Sequence, residues 1–410
     1  MKKQTFLICI LLFTVFLTAC GILPGSNSKR GEYDLQKVSH DVTTGNKTFA
    51  FDIFKKLNEE DANENVFISP ISISQALAMA YNGADTTTKQ AMEQVLGFSE
   101  TERDIVNESY FNLMNYIESA DNKIELANGN SIWVRKGVNV KSKFIRTNEN
   151  YFNAEVNTLD FSGDNAVDTI NKWIDKATKG MITGILNPPI PDDAVMYLIN
   201  AIYFKGKWSD QFNPKYTYDG HFAAVDGSLQ KVKMMNKPKA SVKYAGTDEY
   251  KAIRLPYGEG KIAMYVILPS EGTNINDFIA GMTAEKWDEI RGCLKDTEDV
   301  FVKIPRFKLE YGTKDLVKSL TSLGMGEAFG ENADFSVITD DVYISRVLHK
   351  AIIEVNEEGS EASAATIVEF IMGAMRDPVT FIADRPFIFI INEDVTDTII
   401  FMGKAGRINE

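Results

Sequence analysis

The chain has 410 residues, a formal net charge of −13, 44% hydrophobic residues and three cysteines. That is apolar material for one large core, and three cysteines exclude a disulfide-stapled scaffold. The acidic balance argues against nucleic acid or anionic lipid headgroups as the working surface.

The first residues read as a targeting signal. Lys2 and Lys3 are followed by an apolar run, residues 5–17, too short to cross a bilayer comfortably. The run ends Leu17-Thr18-Ala19-Cys20-Gly21, which resembles a bacterial lipobox. The reading predicts removal of residues 1–19 and acylation of Cys20 as the new N-terminus. An uncleaved anchor or an ordinary signal peptide are the alternatives, and a Cys at the cleavage position favours the lipobox. Cleavage would remove two lysines and no acids, taking the charge to −15. It would leave Cys20 and Cys293, with no intramolecular disulfide. Residues 20–40 are read as lipidated N-terminus and tether, with the Gly/Ser/Asn/Pro-rich part at 21–30. Residues 41–410 contain no linker and no repeat, and are read as one domain.

Phe49, Ile53, Phe54 and Leu57 recur at helical spacing within residues 46–58. Ser69-Pro70 then opens a second helix, an N-cap followed by Pro at the first helical position. That helix is apolar nearly all round, so it is expected to be buried, and Gly83 is expected to end it. Amphipathic helices are predicted over residues 85–96, stopped by Gly97, and over 102–117, with Ile105, Leu113, Met114 and Ile117 inward. Residues 124–134 alternate as a strand does. Residues 166–179 place Ile170, Trp173, Ile174 and Ala177 on one helical face and stop at Gly180. Residues 195–204 are apolar on both faces, as in a central strand. Residues 263–269 form another strand. Residues 300–307 lead through Pro305 into a predicted helix over 314–323, closed by Gly324. Residues 398–404 close the chain as a strand.

Familiar catalytic signatures are missing. His40, His221 and His349 are far apart in sequence and show no metal-ligand spacing. There is no Cys pair for zinc, no Walker-type loop, no GxGxxG after a strand and no GxSxG elbow. The apolar context Val347-Leu348-His349-Lys350-Ala351 reads as that of a satisfied core histidine. No metal and no cofactor are expected.

Residues 354–376 are unlike the rest. Glu354, Glu357 and Glu358 stand in an acidic run, Gly359 follows, and residues 360–366 are nearly all small. Large apolar residues come next, from Ile367 to Met375, and then Arg376. The even positions from Ser360 read Ser, Ala, Ala, Thr, Val and Phe, so one face of a strand could be buried without a charge. Glu361 and Glu369 fall on the other face. Taken alone, the window reads as a Ser/Ala-rich linker. A loop outside a sheet has no use for that alternation, whereas a loop that becomes a strand does.

With its flanks, Val347-Leu348-His349-Lys350-Ala351 before it and residues 381–389 after it, this stretch resembles the hinge and reactive loop of the serpins, a family of large protease inhibitors. Other motifs agree and keep their order: residues 66–73, Asn200-Ala201-Ile202-Tyr203-Phe204-Lys205-Gly206-Lys207-Trp208, Val232-Lys233-Met234-Met235, and residues 398–404. The resemblance spans residues 41–410.

It implies an α+β serpin fold with three β-sheets, eight or nine α-helices and an exposed reactive loop at 357–380. It implies a suicide-substrate inhibitor of serine or cysteine proteases, and no enzyme. The protease attacks the loop, and the cut loop enters the main sheet as a new strand. The hinge would comprise Glu357, Gly359, Ser360, Ala362, Ala364 and Thr366. Counting as the family does from Glu357, the scissile bond lies between Gly373 and Ala374, with Met372, Met375 and Arg376 as alternates. The apolar, small character there suits subtilisin-, elastase- or chymotrypsin-like enzymes. Ser69, Ser72, Asn200 and His349 would form a buried cluster under the main sheet that controls its opening. Trp208 and an Arg306–Glu357 ion pair would sit at its upper end. The expected protein is a monomer, exported and lipid-anchored at the outer face of a bacterial membrane or extracellular, touching the membrane only through its lipid. A non-inhibitory serpin acting as a surface binding or structural lipoprotein is the alternative. A hydrolase or solute-binding lipoprotein is a further rival, and would need convergent His/Ser/Asp geometry or a ligand pocket, with activity surviving removal of the loop.

Overall fold

The computed structural model describes residues 32–340, 342–359 and 379–408. These described residues fall in one compact unit. Helix α1 (His40–Glu60) is capped by the Ser39 hydroxyl and buries Phe49, Ile53, Phe54 and Leu57. Each such side chain contributes about 2 kcal/mol when removed from water. Strand β1 (Val66–Ile68) leads into α2 (Pro70–Tyr81), where the Ser69 hydroxyl accepts from the Ser72 amide and Pro70 needs no donor. In α2 every residue except Ala76 is buried. Helix α3 (Thr86–Leu96) ends on Gly97 at φ 74°, and a Cβ there would lie 2.5 Å from the Gly45 Cα. The left-handed turn and the close contact with α1 both require glycine.

Helix α4 (Arg103–Ser119) buries Val106, Tyr110, Leu113, Met114 and Ile117. Ile105, expected inward, is instead 43% exposed. Val106 and Tyr110 set the inward stripe, and Ile105 lies about 100° off it. Strand β2 (Ile124–Arg135), helix α5 (Ser142–Phe152), strand β3 (Glu155–Leu159), helix α6 (Ala166–Ala177) and strand β4 (Met196–Gly206) follow. Helix α5 has no counterpart in the sequence reading, because only Phe144, Asn148 and Phe152 of it are buried.

The chain continues through β5 (Tyr218–Ala223), β6 (Leu229–Gly246), β7 (Tyr250–Pro256), β8 (Ile262–Pro269), α7 (Ile275–Ala280), α8 (Ala284–Cys293) and β9 (Lys295–Pro305). Strand β10 (Phe307–Asp315) occupies the start of the helix predicted over 314–323. Lys314 and Asp315 pair with His349 and Leu348, so cross-strand pairing overrides local propensity. Helix α9 is confined to Val317–Leu320 and runs into a wide turn with Gly324 at φ 113°. Strands β11 (Leu348–Val355), β12 (Thr380–Ile382), β13 (Phe387–Glu393) and β14 (Thr398–Ala405) complete the chain.

Nine α-helices and three hydrogen-bonded sheets occur among the described residues. The largest sheet runs β1-β14-β13-β8-β7-β6-β9-β12, with β5 on β6. Strands β13 and β14 are buried throughout. Phe67 stacks on Phe389 and Phe401 at 5.6 and 5.4 Å. Lys404 is buried as well, and its ammonium donates to the Asp61 and Ala62 carbonyls where α1 ends. Burial pulls its pKa down to about 8 despite that favourable helix terminus.

The other two sheets are β3-β2-β4 and β10-β11. A second, smaller apolar cluster lies under α6: Ile170 and Ile174 meet Trp133, Ile199 and Ala201 of β2 and β4. Leu348 and Ile352 of β11 pack against the same cluster, which therefore touches both of these sheets.

Candidate functional site: a slot between two sheets and the latch above it

Strand β4 pairs with β2 over its length, and β11 pairs with β10. No ladder joins β4 to β11 among the described residues. Each therefore has one edge without a strand partner among the described residues. Between them lies a cleft of about 130 Å³, lined on one side by residues 194–200 and on the other by 342–349. Ser72, Ile73 and Leu77 of α2 contribute to its wall.

Above the cleft the two sheets are latched. After β11, residues 356–359 make a tight turn, with the Asn356 amide donating to the Gly359 carbonyl at 2.9 Å and the Gly359 amide to the Asn356 carbonyl at 3.2 Å. The turn is pinned to the segment after β4. The Trp208 amide donates to the Glu358 carbonyl and the Phe212 amide to the Glu357 carbonyl, both at 2.8 Å. The Trp208 indole N–H donates to the Asn356 carbonyl at 2.9 Å, and its ring stacks on Tyr257 at 4.3 Å. Gly359 sits at φ 136°, and a Cβ there would lie 2.1 Å from the Gly206 carbonyl oxygen. No other residue type fits without moving the latch.

Glu357 is 4% exposed. Its Oε1 accepts from Arg306 Nη2 and from the Thr217 hydroxyl, each at 2.5 Å. Burial by itself would raise its pKa. The Arg306 guanidinium and the Thr217 hydroxyl outweigh it and hold the carboxyl below the usual carboxylate range. Arg306 is placed by the turn from β9 to β10, where its amide donates to the Lys233 carbonyl at 2.7 Å. Glu358 faces Lys207 at 3.9 Å.

Beneath the cleft lies a buried polar network. The Ser69 amide donates to His349 Nε2 at 3.1 Å, and the Ser69 hydroxyl donates to the Ile400 carbonyl at 2.7 Å. The Ser72 hydroxyl donates to Asn200 Oδ1. Asn200 Nδ2 in turn faces Gln75 Oε1, Asn128 Oδ1 and Asn130 Oδ1 at 2.9, 2.6 and 2.7 Å. Thus His349 on β11 and Asn200 on β4 do not bond each other. The first turn of α2 links them, through the Ser72 amide donating to the Ser69 hydroxyl.

Since Nε2 of His349 accepts, the proton of the neutral ring is assigned to Nδ1. Burial pulls the His349 pKa down to about 4. The Ser69 hydroxyl donates to a backbone carbonyl and not to the imidazole, so the pair is no nucleophile–base dyad. His40 and His221 are exposed. No group of three or more His, Cys, Asp or Glu among the described residues could hold a metal.

The structure thus brings Ser69, Ser72, Asn200 and His349 into one network. It places Trp208, Arg306, Glu357 and Gly359 together in the latch. Ser360, Ala362, Ala364 and Thr366, the bond Gly373–Ala374 with its alternates Met372, Met375 and Arg376, and Cys20 lie outside the described residues. The sequence reading missed Gln75, Asn128, Asn130 and Thr217. A signal for the first three was present: Gln75 follows Ser72 by three positions on an otherwise apolar helix, and Asn128 and Asn130 share one face of β2. Thr217 gave none, since only the tertiary fold brings it to Glu357.

The family model described as serpin (serine protease inhibitor) matches residues 44–407. An uncharacterized serpin-like protein of Methanosarcina acetivorans is 37% identical over 89% of this chain and 88% of its own. The leukocyte elastase inhibitor of Sus scrofa is 34% identical over 89% of this chain and 99% of its own. Among solved structures, the thermophilic serpin tengpin in its native state superposes with a TM-score of 0.81 at 32% identity, over 90% of this chain and 94% of that one. Thyroxine-binding globulin in complex with thyroxine superposes with a TM-score of 0.80 at 26% identity, over 90% and 99%. The chain belongs to the serpin family and has the serpin fold.

Proposed function

We propose that the protein is a suicide-substrate inhibitor of a serine protease. The protease acylates itself on the loop between Gly359 and Val379, and the cut loop enters the slot between β4 and β11 as a new strand. One observation carries this reading: two facing strand edges that no ladder joins among the described residues, with the latch at residues 356–359 directly above them. A strand of about 14 residues, roughly 45 Å long, would pair both edges and gain ladder hydrogen bonds and apolar burial. The positions that would face inward, Ser360, Ala362, Ala364 and Thr366, are small and uncharged, so none has to be desolvated at high cost. The buried network around His349 and Asn200, and the latch at Glu357 and Trp208, would control how readily the two halves part.

The scissile bond is proposed between Gly373 and Ala374, suited to a subtilisin-, elastase- or chymotrypsin-like protease. The domain is proposed to act as a monomer held outside a bacterial membrane through acylated Cys20. The test is incubation with a panel of such proteases. A covalent adduct resistant to denaturant is expected, together with a released C-terminal peptide that mass spectrometry shows to begin at Ala374. Cleavage without an adduct for every protease would favour the non-inhibitory alternative, a surface binding lipoprotein.

A further inference from the structure

The outer face of β9 carries a feature that loop insertion does not use. Lys303 Nζ lies 4.9 Å from the ring centroid of Tyr218 on β5 and 4.8 Å from that of Phe301. The cation lies within cation–π reach of both rings. Cations nearby are committed to acids: Lys233 to Asp219 at 2.5 Å, Lys237 to Asp210 at 2.9 Å and Arg306 to Glu357 at 2.5 Å. Lys303 forms no ion pair among the described residues. Tyr218 is 41% exposed, and Phe301 and Lys303 are half-buried. The feature adjoins the place where the chain returns from the loop. The Phe301 amide donates to the Val379 carbonyl at 2.8 Å, and Ile382 of β12 lies beside Lys303 in the ladder.

A half-buried lysine against two rings has given up part of its hydration before any partner arrives. A carboxylate from outside can therefore complete the site at low desolvation cost, while the rings offer amphipathic area around it. Any protein engaging the loop near Val379 is brought against this face. We propose that Lys303, flanked by Tyr218 and Phe301, is a docking contact for a carboxylate on the protease surface beside its active-site cleft. The chain as a whole carries −13, so the attraction is local and selects proteases by a placed acid, not by overall charge. This rests on the inhibitory reading above.

The experiment uses a subtilisin-type protease with acidic residues at its cleft rim and its catalytic serine changed to alanine, so that docking is read without acylation. Relative to the parent, Lys303→Glu should weaken binding at least tenfold at low salt. Lys303→Gln should weaken it less, and Lys303→Arg should keep it. The differences should shrink at 1 M salt. Thermal unfolding of each variant checks the fold, and Lys318→Glu on α9 controls for a change in net charge. Equal binding by parent, Lys303→Glu and Lys303→Gln at all salt concentrations would overturn the docking surface. So would an equal effect of Lys318→Glu, a dimer of the free protein that dissociates in Lys303→Glu, or no binding by the parent. Adduct formation with the active protease is measured separately and tests the inhibitory reading alone.

Discussion

His349 and Glu357 are the two buried titratable groups that tie the site to pH, and they act in different windows. His349 has its pKa lowered from the ordinary 6.5 to about 4, so the folded protein prefers it neutral. The unfolded chain then binds the extra proton first. Its contribution is complete above about pH 6.5 and is lost as pH falls toward 4, a loss of about 3 kcal/mol. Urea unfolding between pH 7 and 4 should show this slope, and His349→Gln should flatten it. An unchanged slope in that variant would show that another group carries it. Glu357 is held below the usual carboxylate range, so its contribution is present above that range and is lost as pH falls through the lowered value. Glu357→Gln removes the charge that Arg306 faces, while Arg306, 43% exposed at its side chain, can turn to water. The expected cost is about 1–3 kcal/mol, read as a lower urea midpoint at pH 7.

At the scale of the element, the hinge is where a single charge has most leverage. In the proposed mechanism, insertion of the strand competes with hydrolysis of the acyl-enzyme once the protease is acylated. In the proposed mechanism Ala364 faces inward, so Ala364→Arg would carry an unpaired guanidinium into the sheet at a cost of several kcal/mol. About 3 kcal/mol in the insertion barrier slows that step roughly a hundredfold, whereas hydrolysis is set by the protease. Ala364→Arg should therefore be cut at the same bond without forming an adduct. Glu361→Arg, on the other face of the same arm, should be much milder. The readout is moles of inhibitor consumed per mole of protease, and equal values for Ala364→Arg and the parent would refute insertion.

For the whole molecule, the proposed mechanism requires the uncut form to be metastable. Two sheets meet at a slot without a common ladder among the described residues, tied by the latch, by the first turn of α2 and by shared apolar packing. A strand that paired both edges would join β3-β2-β4 to β10-β11 in one continuous sheet. Cleavage by a protease that is not trapped should therefore raise the melting temperature by tens of degrees, measured by calorimetry on uncut and cut protein, and the gain should be smaller for Ala364→Arg. Attachment is a separate matter. Globomycin should make precursor accumulate, and Cys20→Ser should abolish acylation, as read by mass spectrometry of the mature N-terminus.

Elements whose side chains report their own surroundings were legible in the chain. Helix α2, with Ser69 and Pro70 at its start and apolar residues all round, could be placed from sequence, as could β4 and the chain-closing β14. Ordered motifs such as residues 200–208 carried the family resemblance, because a buried sheet strand leaves a dense apolar signature. Long-range pairing was not legible. Lys314 and Asp315 look helical until β11 lies beside them, and Ile105 looks like core until Val106 and Tyr110 fix the inward face of α4. The latch combines Thr217, Arg306, Trp208 and Glu357 from four separated stretches, so no local pattern announces Thr217. The split between β4 and β11 is a property of edges, which exist only once strands have chosen partners. By itself the sequence determined the family, the small residues of the hinge and the lack of a familiar catalytic motif, all written in side-chain type and order. Only the tertiary structure decided that Asn200 and His349 stand on opposite sides of a slot, linked through the first turn of α2, because hydrogen bonding and burial are settled between distant parts of the chain.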